Sequence, residues 1–465
     1  MTGYEYHRYT AYSRWRLGGR GGIRGGRPEL FKKYRGSEIK KFPESLLKPD
    51  KKLMEVVLWR LPGSSSALFD ENLLGLLFFL SYGIRPDSGL RGYPFRTVPS
   101  AGALYPCELY FCPDGIGPWE GGFYHYRADL HGAERIAKGG GSGSGLDVKV
   151  SVLPYRSAFK YGERALRYVL LDAGHLIEQI RMAGRIVGLE GLAYSGCEEP
   201  SVWEKAAGLS ADHEVFIGGV RFGEPDCANL MPVMPIPEMQ RCGELASGGD
   251  CGPVIREVLD AIRHGCFVFD EEPEIAGYED ESLPDISAFN AIIGRRSHRN
   301  YTGKTISYGV FDLFVRALGS LSDYSGFVVY FALAAVEGFT PGVYLLKADE
   351  AVKKGCEALG RIRSASVMTE LAHACLGQGW MANGSFAVII ALSFEDAERA
   401  YGDRGYMHLM INAGRVGQRI YLLSEGFGLG CCGVGAFYDG DVSDVVPMDD
   451  DTYPVYVIPV GSRSR

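Results

Sequence analysis

Two stretches of the chain show the same alternation of apolar and polar positions. They read YGERALRYVLLDAGHLIEQI from Tyr161 and YGDRGYMHLMINAGRVGQRI from Tyr401. Apolar residues that recur every three to four positions predict a long amphipathic helix in each stretch. Small residues in the middle of both, Ala173-Gly174 and Ala413-Gly414, would let each helix pack closely against a neighbour.

Shorter apolar runs predict the other elements. The run LLGLLFFLSYGI predicts a buried helix near Asn72–Tyr82, with a counterpart near Tyr308–Leu318. It is shorter than the roughly 18–20 apolar residues that a membrane-spanning helix needs. Runs rich in β-branched and aromatic residues predict strands at CELYFC, FVVYF, EVFIGGV and PVYVIPV. Helices mixed with a few strands favour an α+β fold.

The two helical stretches belong to a longer internal repeat. Their residues match without a gap at positions 240 apart, and GGFYHYRAD matches TPGVYLLKAD with Tyr124 and Tyr344 220 apart. Both matches occur in the same order, so we infer two copies of one domain, with a 20-residue insertion in the second copy between Asp349 and Tyr401. The predicted divisions are a first domain at 1–225, a Pro-, Gly- and acid-rich linker at 226–284, and a second domain at 285–465.

Composition narrows the classes of partner. The chain has 465 residues, 46% of them hydrophobic and 23% charged, with a net charge of −8. A negative balance argues against non-specific nucleic-acid binding. The 11 cysteines lack paired spacing, which predicts neither a zinc cluster nor a disulfide framework and favours a reducing cytoplasm. The N-terminus lacks a secretory signal pattern, so we expect a cytoplasmic protein with no membrane and no metal partner.

Two motifs suit a flat, phosphate-bearing ligand. RRSHRNY offers three arginines and a serine, which we expect at the head of an apolar helix, where they suit a phosphate or a heterocycle edge. PSAGALYP predicts a turn whose backbone can approach a flat ligand closely. Taken alone, RRSHRNY is also compatible with a solvated basic helix start, and PSAGALYP is also compatible with an ordinary loop.

Two further motifs are ambiguous by themselves. GLGCCGVGAFYD has glycine spacing similar to a dinucleotide fingerprint, but it lacks the strand–turn–helix context and predicts at most a backbone cradle. Lys160 next to Tyr161 can move protons if the surroundings adjust the acidity of the pair. The alternative is an exposed lysine beside a packed tyrosine.

Together these motifs resemble the nitroreductase superfamily of FMN proteins, and more closely the SagB-type dehydrogenases, which include azoline oxidases of peptide pathways. The resemblance rests on EYHRYT, RTVPSAGALYP, FKYGERALRYVLLDAGH, RRSHRNY and GVGAFYD, and it covers both copies. It implies an α+β fold that pairs as a two-fold dimer, with FMN at the interface. Azoline oxidases convert thiazoline or oxazoline rings in peptides to azoles, which implies a cyclodehydratase as a partner.

The resemblance also implies roles for individual residues. Arg295, Arg296 and Ser297 would hold the FMN phosphate, Arg299 would lie over the pyrimidine edge, and Lys160 and Tyr161 would be catalytic. The remaining cofactor contacts would come from the 99–104 turn, from a backbone facing flavin N5 and O4, and from the C-terminus: Pro99, Ser100, Ala101, Gly102 and Leu104; Gly433, Val434, Gly435 and Ala436; Arg463 and Arg465.

Each motif occurs in one copy alone. The first copy has LWRLPGSS in place of RRSHR and AYSGCEEP in place of GVGAFYD, whereas the second has GSLSDYSG in place of PSAGALYP and Ala400 in place of Lys160. An isologous dimer has two identical composite sites, and fusion of its subunits lets one of them degrade. We therefore expect an intramolecular pseudo-dimer with one complete site.

Two other functions remain open at this point. One is a nitroreductase-like enzyme that reduces nitro or quinone compounds with NAD(P)H, whose nicotinamide can stack directly on the flavin. The other is a non-catalytic flavin-binding protein. The motifs fix neither the substrate nor the electron acceptor.

Overall fold

The computed structural model describes residues 1–15, 27–34, 36–43, 48–58, 70–114, 119–139, 144–224, 231–232, 250–269, 275 and 283–464. The chain divides into two compact units. Unit 1 comprises Met1–Tyr6, Arg20–Lys51 and Leu61–Glu271, and unit 2 comprises His7–Gly19, Lys52–Arg60 and Glu272–Arg465. Two short N-terminal segments thus belong to the unit that contains the C-terminal half of the chain.

The described residues contain fourteen α-helices and fifteen strands. The helices are α1 (Gly3–Tyr9), α2 (Leu53–Leu58), α3 (Glu71–Tyr82), α4 (Tyr155–Tyr161), α5 (Ala165–Ile186), α6 (Pro200–Ala206), α7 (Pro253–Ile262), α8 (Ala288–Gly294), α9 (Tyr308–Gly319), α10 (Ala348–Lys354), α11 (Met368–Ala374), α12 (Phe394–Tyr401), α13 (Gly405–Gly426) and α14 (Asp439–Val445). The strands are β1 (Ile39–Lys41), β2 (Cys107–Asp114), β3 (Gly122–Arg127), β4 (Gly132–Lys138), β5 (Ser144–Val152), β6 (Gly191–Cys197), β7 (Val215–Glu224), β8 (Met231–Pro232), β9 (Gly265–Val268), β10 (Phe327–Leu333), β11 (Gly342–Leu346), β12 (Leu359–Arg363), β13 (Phe386–Ser393), β14 (Leu429–Cys431) and β15 (Thr452–Ser462).

Each unit is built on one antiparallel sheet, and the central strands follow the same order in both. In unit 1 the order is β1-β4-β3-β2-β5-β7-β6-β9, with β8 paired to β4, and in unit 2 it is β12-β11-β10-β13-β15-β14. The matched tyrosines also make the same bond, since Tyr124 donates to Glu120 O and Tyr344 to Thr340 O (2.9 and 2.8 Å). The mixed helix-and-sheet fold predicted from the sequence is therefore observed in each unit.

The two long helices lie where the sequence pattern predicts them. α5 and α13 have the same length, and each follows a short helix whose C-cap is a glycine with positive φ, Gly162 (58°) and Gly402 (62°). Every residue of α5 is buried, as are residues 405–424 of α13. Burial on all sides includes the polar positions, so these helices carry buried charges as well as apolar packing.

Apolar packing covers the sheet of unit 2 on the side of α11 and α14. Strand residues such as Ala387 and Ile389 pack there against Leu371 and Val442. α10, which begins at Ala348, and α11 lie in the part of the second copy, from Asp349 to Tyr401, to which the 20-residue insertion is assigned. The segment predicted as a linker contains α7 and also β9, which extends the sheet of unit 1. Among the described residues, no helix combines the length and apolarity that crossing a membrane requires.

Candidate functional site

The arginine–serine segment of unit 2 follows a helix instead of starting one. α8 ends at Gly294, and residues 295–300 continue without helical structure beside β14, where the His298 N–H donates to Cys431 O (2.9 Å). The predicted position at a helix head is therefore wrong. The physical reason is Arg296, whose Nη1 donates to the carbonyls of Ile293, Gly294 and Arg295 (2.8 Å each). A cation is stabilised at the carbonyl end of a helix.

Tyr421 of α13 links this segment to the glycine motif. Its hydroxyl lies 2.9 Å from Ser297 Oγ and accepts the Gly433 N–H at 3.0 Å. The guanidinium of Arg295 lies over the Tyr421 ring, 5.3 Å from its centroid, a cation–π arrangement. Arg295 and Ser297 are thus brought together with Gly433, which is distant in sequence, around one buried phenol.

The glycine motif itself is held against β15. Val434 exchanges two backbone hydrogen bonds with Val457 (2.8 and 3.1 Å). A Cβ atom on Gly433 would collide with the Tyr456 hydroxyl, which explains the glycine at that position. The N–H groups of Gly433 and Val434 are thus used within the protein.

Three arginine side chains lie near His298. Burial, followed by the nearby guanidiniums of Arg463, Arg296 and Arg295, lowers the pKa of His298 to about 4, so the imidazole is neutral at neutral pH. Its Nε2 is buried and makes no hydrogen bond within the described part of the chain. A buried polar atom in an electropositive environment fits an anionic ligand group.

The other predicted arginines differ in their surroundings. Arg463 donates to Leu429 O and pairs with Glu425 (2.7 and 2.6 Å), so part of its charge is balanced. Arg299 is exposed. Arg465 lies outside the described residues.

In unit 1 the predicted turn is held by a buried carboxylate that the sequence analysis did not single out. Asp172 of α5 accepts the Ser100 hydroxyl at 2.6 Å and the Ala101 N–H at 3.0 Å. Burial raises the pKa of Asp172 to about 7, although both hydrogen bonds oppose the shift. Pro99 is half-buried and Leu104 buried at the two ends of the turn.

The turn is strained, and it lies against the predicted catalytic pair. Gly102, Ala103 and Tyr105 have φ of 64°, 54° and 47°, and the left-handed region costs a non-glycine residue about 1–3 kcal/mol. A Cβ atom on Gly102 would lie 2.7 Å from the Tyr161 hydroxyl and 3.0 Å from Lys160 Nζ. The structure thus brings the turn and the pair together, although their catalytic role remains a prediction.

Lys160 and Tyr161 occupy the last turn of α4. Lys160 is exposed and Tyr161 half-buried, with the lysine Nζ 5.1 Å from the Tyr161 ring centroid and that ring 4.6 Å from the ring of Tyr168. The phenol is therefore fixed by packing, whereas the lysine can reach solvent or a ligand.

Sequence reasoning missed Tyr421, His298 and Asp172. One signal was available for Asp172, because the repeat places Asn412 at the matching position of α13. Nothing local in the sequence marks Tyr421, since its two partners lie 124 and 12 residues away.

Two antiparallel α+β units, one with an arginine–serine segment joined to a glycine cradle, define the class of fold and site. The Nitroreductase family model matches residues 292–462. A protein of Methanocaldococcus jannaschii named as a nitroreductase is 30% identical over 196 residues, which cover 39% of this chain and 95% of the relative.

The chain therefore belongs to the nitroreductase family. A crystal structure from Anabaena variabilis, described as a nitroreductase, covers 100% of both chains with a TM-score of 0.73 at 20% identity. At that identity the likeness shows the fold, and it extends over both units.

Proposed function

We propose that this chain is an FMN-dependent oxidoreductase with one cofactor site. The observation that carries the proposal is the arrangement around Tyr421, which joins Arg295 and Ser297 to the glycine cradle at Gly433. A phosphate suits guanidinium and hydroxyl donors. The neutral, half-buried His298, whose Nε2 is buried near three arginines, provides an electropositive environment that would stabilise such an anion.

The binding roles can be assigned on this basis. Arg295 and Ser297 would hold the phosphate, with Arg296 and Arg463 adding positive charge. The Gly435–Ala436 backbone would face the ring system, and Arg299 is near enough in sequence to cover the ring edge. When bound, FMN would supply hydride-transfer chemistry, which protein side chains lack.

We propose that the chain is a tandem fusion that forms an intramolecular pseudo-dimer. The shared strand order of the two sheets supports this proposal. So does the inclusion of Lys52–Arg60 in unit 2, where Leu53 N–H donates to Ile286 O (2.9 Å) and α2 packs with α8 against α13. Residues 99–104 of unit 1 would complete the site whose phosphate ligands lie in unit 2.

For the substrate we propose a peptide that bears a thiazoline or oxazoline ring. Oxidation of such a ring to the aromatic azole removes a hydride and a proton from adjacent atoms. Lys160 or Tyr161, under the strained turn, would accept the proton. A cyclodehydratase is the class of enzyme that would supply this substrate, and therefore the proposed partner.

The pair is tested by Lys160→Ala and Tyr161→Phe. Both variants should retain bound FMN, because the proposed phosphate ligands lie elsewhere, and both should lose turnover on an azoline peptide by roughly 10²–10⁴-fold, the scale of general acid–base catalysis. Tyr401→Phe is the matched control, since Tyr401 occupies the same repeat position without the lysine or the turn. Normal turnover in both test variants would reject the catalytic assignment.

The family match and the names of its members favour a second candidate, an NAD(P)H-dependent reductase of nitro or quinone compounds. Rapid bleaching of the flavin by NADPH, followed by reoxidation with a nitroaromatic or quinone, would favour this candidate. A slow reaction with NADPH and fast reduction by an azoline peptide would favour the dehydrogenase. A non-catalytic flavoprotein would show neither reaction.

A further inference from the structure

Asp172 is a buried carboxyl to which the proposed reaction assigns no role. It lies on α5, accepts the Ser100 hydroxyl and the Ala101 N–H, and is 7% exposed. A buried carboxyl costs stability unless its hydrogen bonds compensate for lost hydration. Its two hydrogen-bond partners are adjacent residues of one turn, so the Asp172 carboxyl stabilises the conformation of that turn.

Ser100 connects Asp172 to the other end of the turn through hydrogen bonds. Its Oγ donates to Asp172 and accepts the Tyr105 N–H at 2.9 Å. The chain of hydrogen bonds from Asp172 through Ser100 to Tyr105 therefore closes the loop 100–105. Within this closed loop lie the three left-handed residues Gly102, Ala103 and Tyr105, a conformation that persists only where surrounding contacts impose it.

The closed loop presents Gly102 to the catalytic pair. The Tyr161 hydroxyl and Lys160 Nζ lie where a Cβ atom of residue 102 would be in tight contact. A shift of about 1 Å in this loop would therefore change the space available to both proton-transfer candidates.

Unit 2 offers an internal comparison. At the matching position of α13, Asn412 donates from Nδ2 to Leu321 O at 2.7 Å, so its loop is tethered through a carbonyl instead of a serine and an N–H. Among residues 320–326 of that loop, positive φ occurs at Gly326 and at no non-glycine residue. The acceptor carboxylate and the strained loop thus occur together, in the unit that has Lys160.

We propose that Asp172 and Ser100 form a clamp that holds the loop 100–105 in its strained conformation over Lys160 and Tyr161. Asp172 is then a positioning residue for proton transfer, and this role rests on the function proposed above. The clamp itself does not depend on that function.

Amide hydrogen exchange of peptides that cover residues 98–106 tests the clamp. Asp172→Asn keeps the side-chain volume but removes the negative charge and one of the two acceptor oxygens, and Ser100→Ala removes the link to Tyr105. Exchange at these residues should become roughly tenfold faster in both variants, as expected for the loss of a charge-assisted bond, while exchange in β5 stays unchanged. Asn412→Ala, the matched control in unit 2, should leave residues 98–106 as in the wild type. Unchanged exchange in both test variants would overturn the clamp.

Steady-state kinetics on an azoline peptide test the positioning role. Asp172→Asn should lower kcat by roughly 10–100-fold with little change in KM and with FMN retained, a pattern that general destabilisation would not give. Faster exchange with unchanged kcat would overturn the positioning role and leave the clamp. Full activity of Lys160→Ala would reject the proposed function and with it the positioning role, while the exchange result would still decide whether the clamp exists.

Discussion

At the scale of single residues, Tyr421 connects two motifs that are far apart in sequence. Its hydroxyl contacts Ser297 and the Gly433 N–H, and its ring lies under Arg295. The Tyr421 phenol is uncharged at neutral pH, because burial raises its pKa well above the usual value. Its contribution is therefore geometric, since it sets the distance between the proposed phosphate ligands and the glycine cradle.

Tyr421→Phe should weaken FMN binding without unfolding the protein. The change removes two hydrogen bonds, each worth about 0.5–1.5 kcal/mol, and keeps the ring that packs under Arg295. We expect a Kd for FMN about tenfold weaker, measured by fluorescence titration of the apoprotein. Tyr406→Phe is the control, because Tyr406 is a buried tyrosine of the same helix whose hydroxyl contacts His7. Equal losses in both variants would contradict a specific role for Tyr421.

At the scale of elements, the two sheets differ in what one face buries. In unit 1, His125 of β3 lies between Glu108 of β2 and Glu134 of β4 (3.1 and 3.0 Å), and all three are buried. The strand register places Leu345 and Gly360 of unit 2 at the positions of His125 and Glu134. The face that is apolar in unit 2 thus holds an ionic network in unit 1.

His125→Leu should destabilise the protein by about 1.5–3 kcal/mol, since Glu108 and Glu134 each lose a buried hydrogen bond to the imidazole, although they keep Arg156 and Arg127 as ion-pair partners. Leu345→Val, a change of one methylene at the matching position, should cost about 1 kcal/mol. Urea denaturation at about pH 6 measures both. A fully stable His125→Leu protein would show that the network contributes nothing.

The same network gives stability a pH dependence. Burial alone would lower the pKa of His125, but the hydrogen bonds that the imidazole donates to the Glu108 and Glu134 carboxylates outweigh burial and raise the pKa. The stabilisation is therefore complete below the unfolded pKa near 6.5 and is lost as pH rises through the higher folded pKa. The stability gap between wild type and His125→Leu should narrow as pH rises above about 6.5, and a constant gap would argue against a protonated histidine.

Some elements of the structure could be predicted from the sequence and others could not. α5 and α13 were predictable because helical periodicity is local, and the strands were predictable from short apolar runs. The segment 295–300 was misplaced because the end of α8 depends on how the Arg296 side chain folds back onto carbonyls. The clamp at Asp172 and the ionic network arise from contacts across the fold, which no local pattern encodes.

At the scale of the whole molecule, the proposed fusion explains why each motif occurs once. Two identical chains must carry every motif on each copy, because both of their sites use both. A fused chain can lose each motif from one of its two copies and still retain one complete site. The first copy keeps Lys160 and the turn at 99–104, and the second keeps the arginine–serine segment and the glycine cradle.

The fusion predicts one FMN per chain. In the first copy, the place of RRSHR is taken by LWRLPGSS, in which Arg60 is the single cation, so a second site would lack most of its phosphate ligands. Flavin released by denaturation should be equimolar with protein, and Arg295→Ala should reduce it strongly, since a charge-assisted contact contributes about 1.5–3 kcal/mol. Arg60→Ala, at the corresponding place of the first copy and outside the described residues, should leave the flavin content unchanged. Two FMN per chain, or equal losses in the two variants, would mean that both composite sites bind cofactor and that the asymmetry of the motifs has another origin.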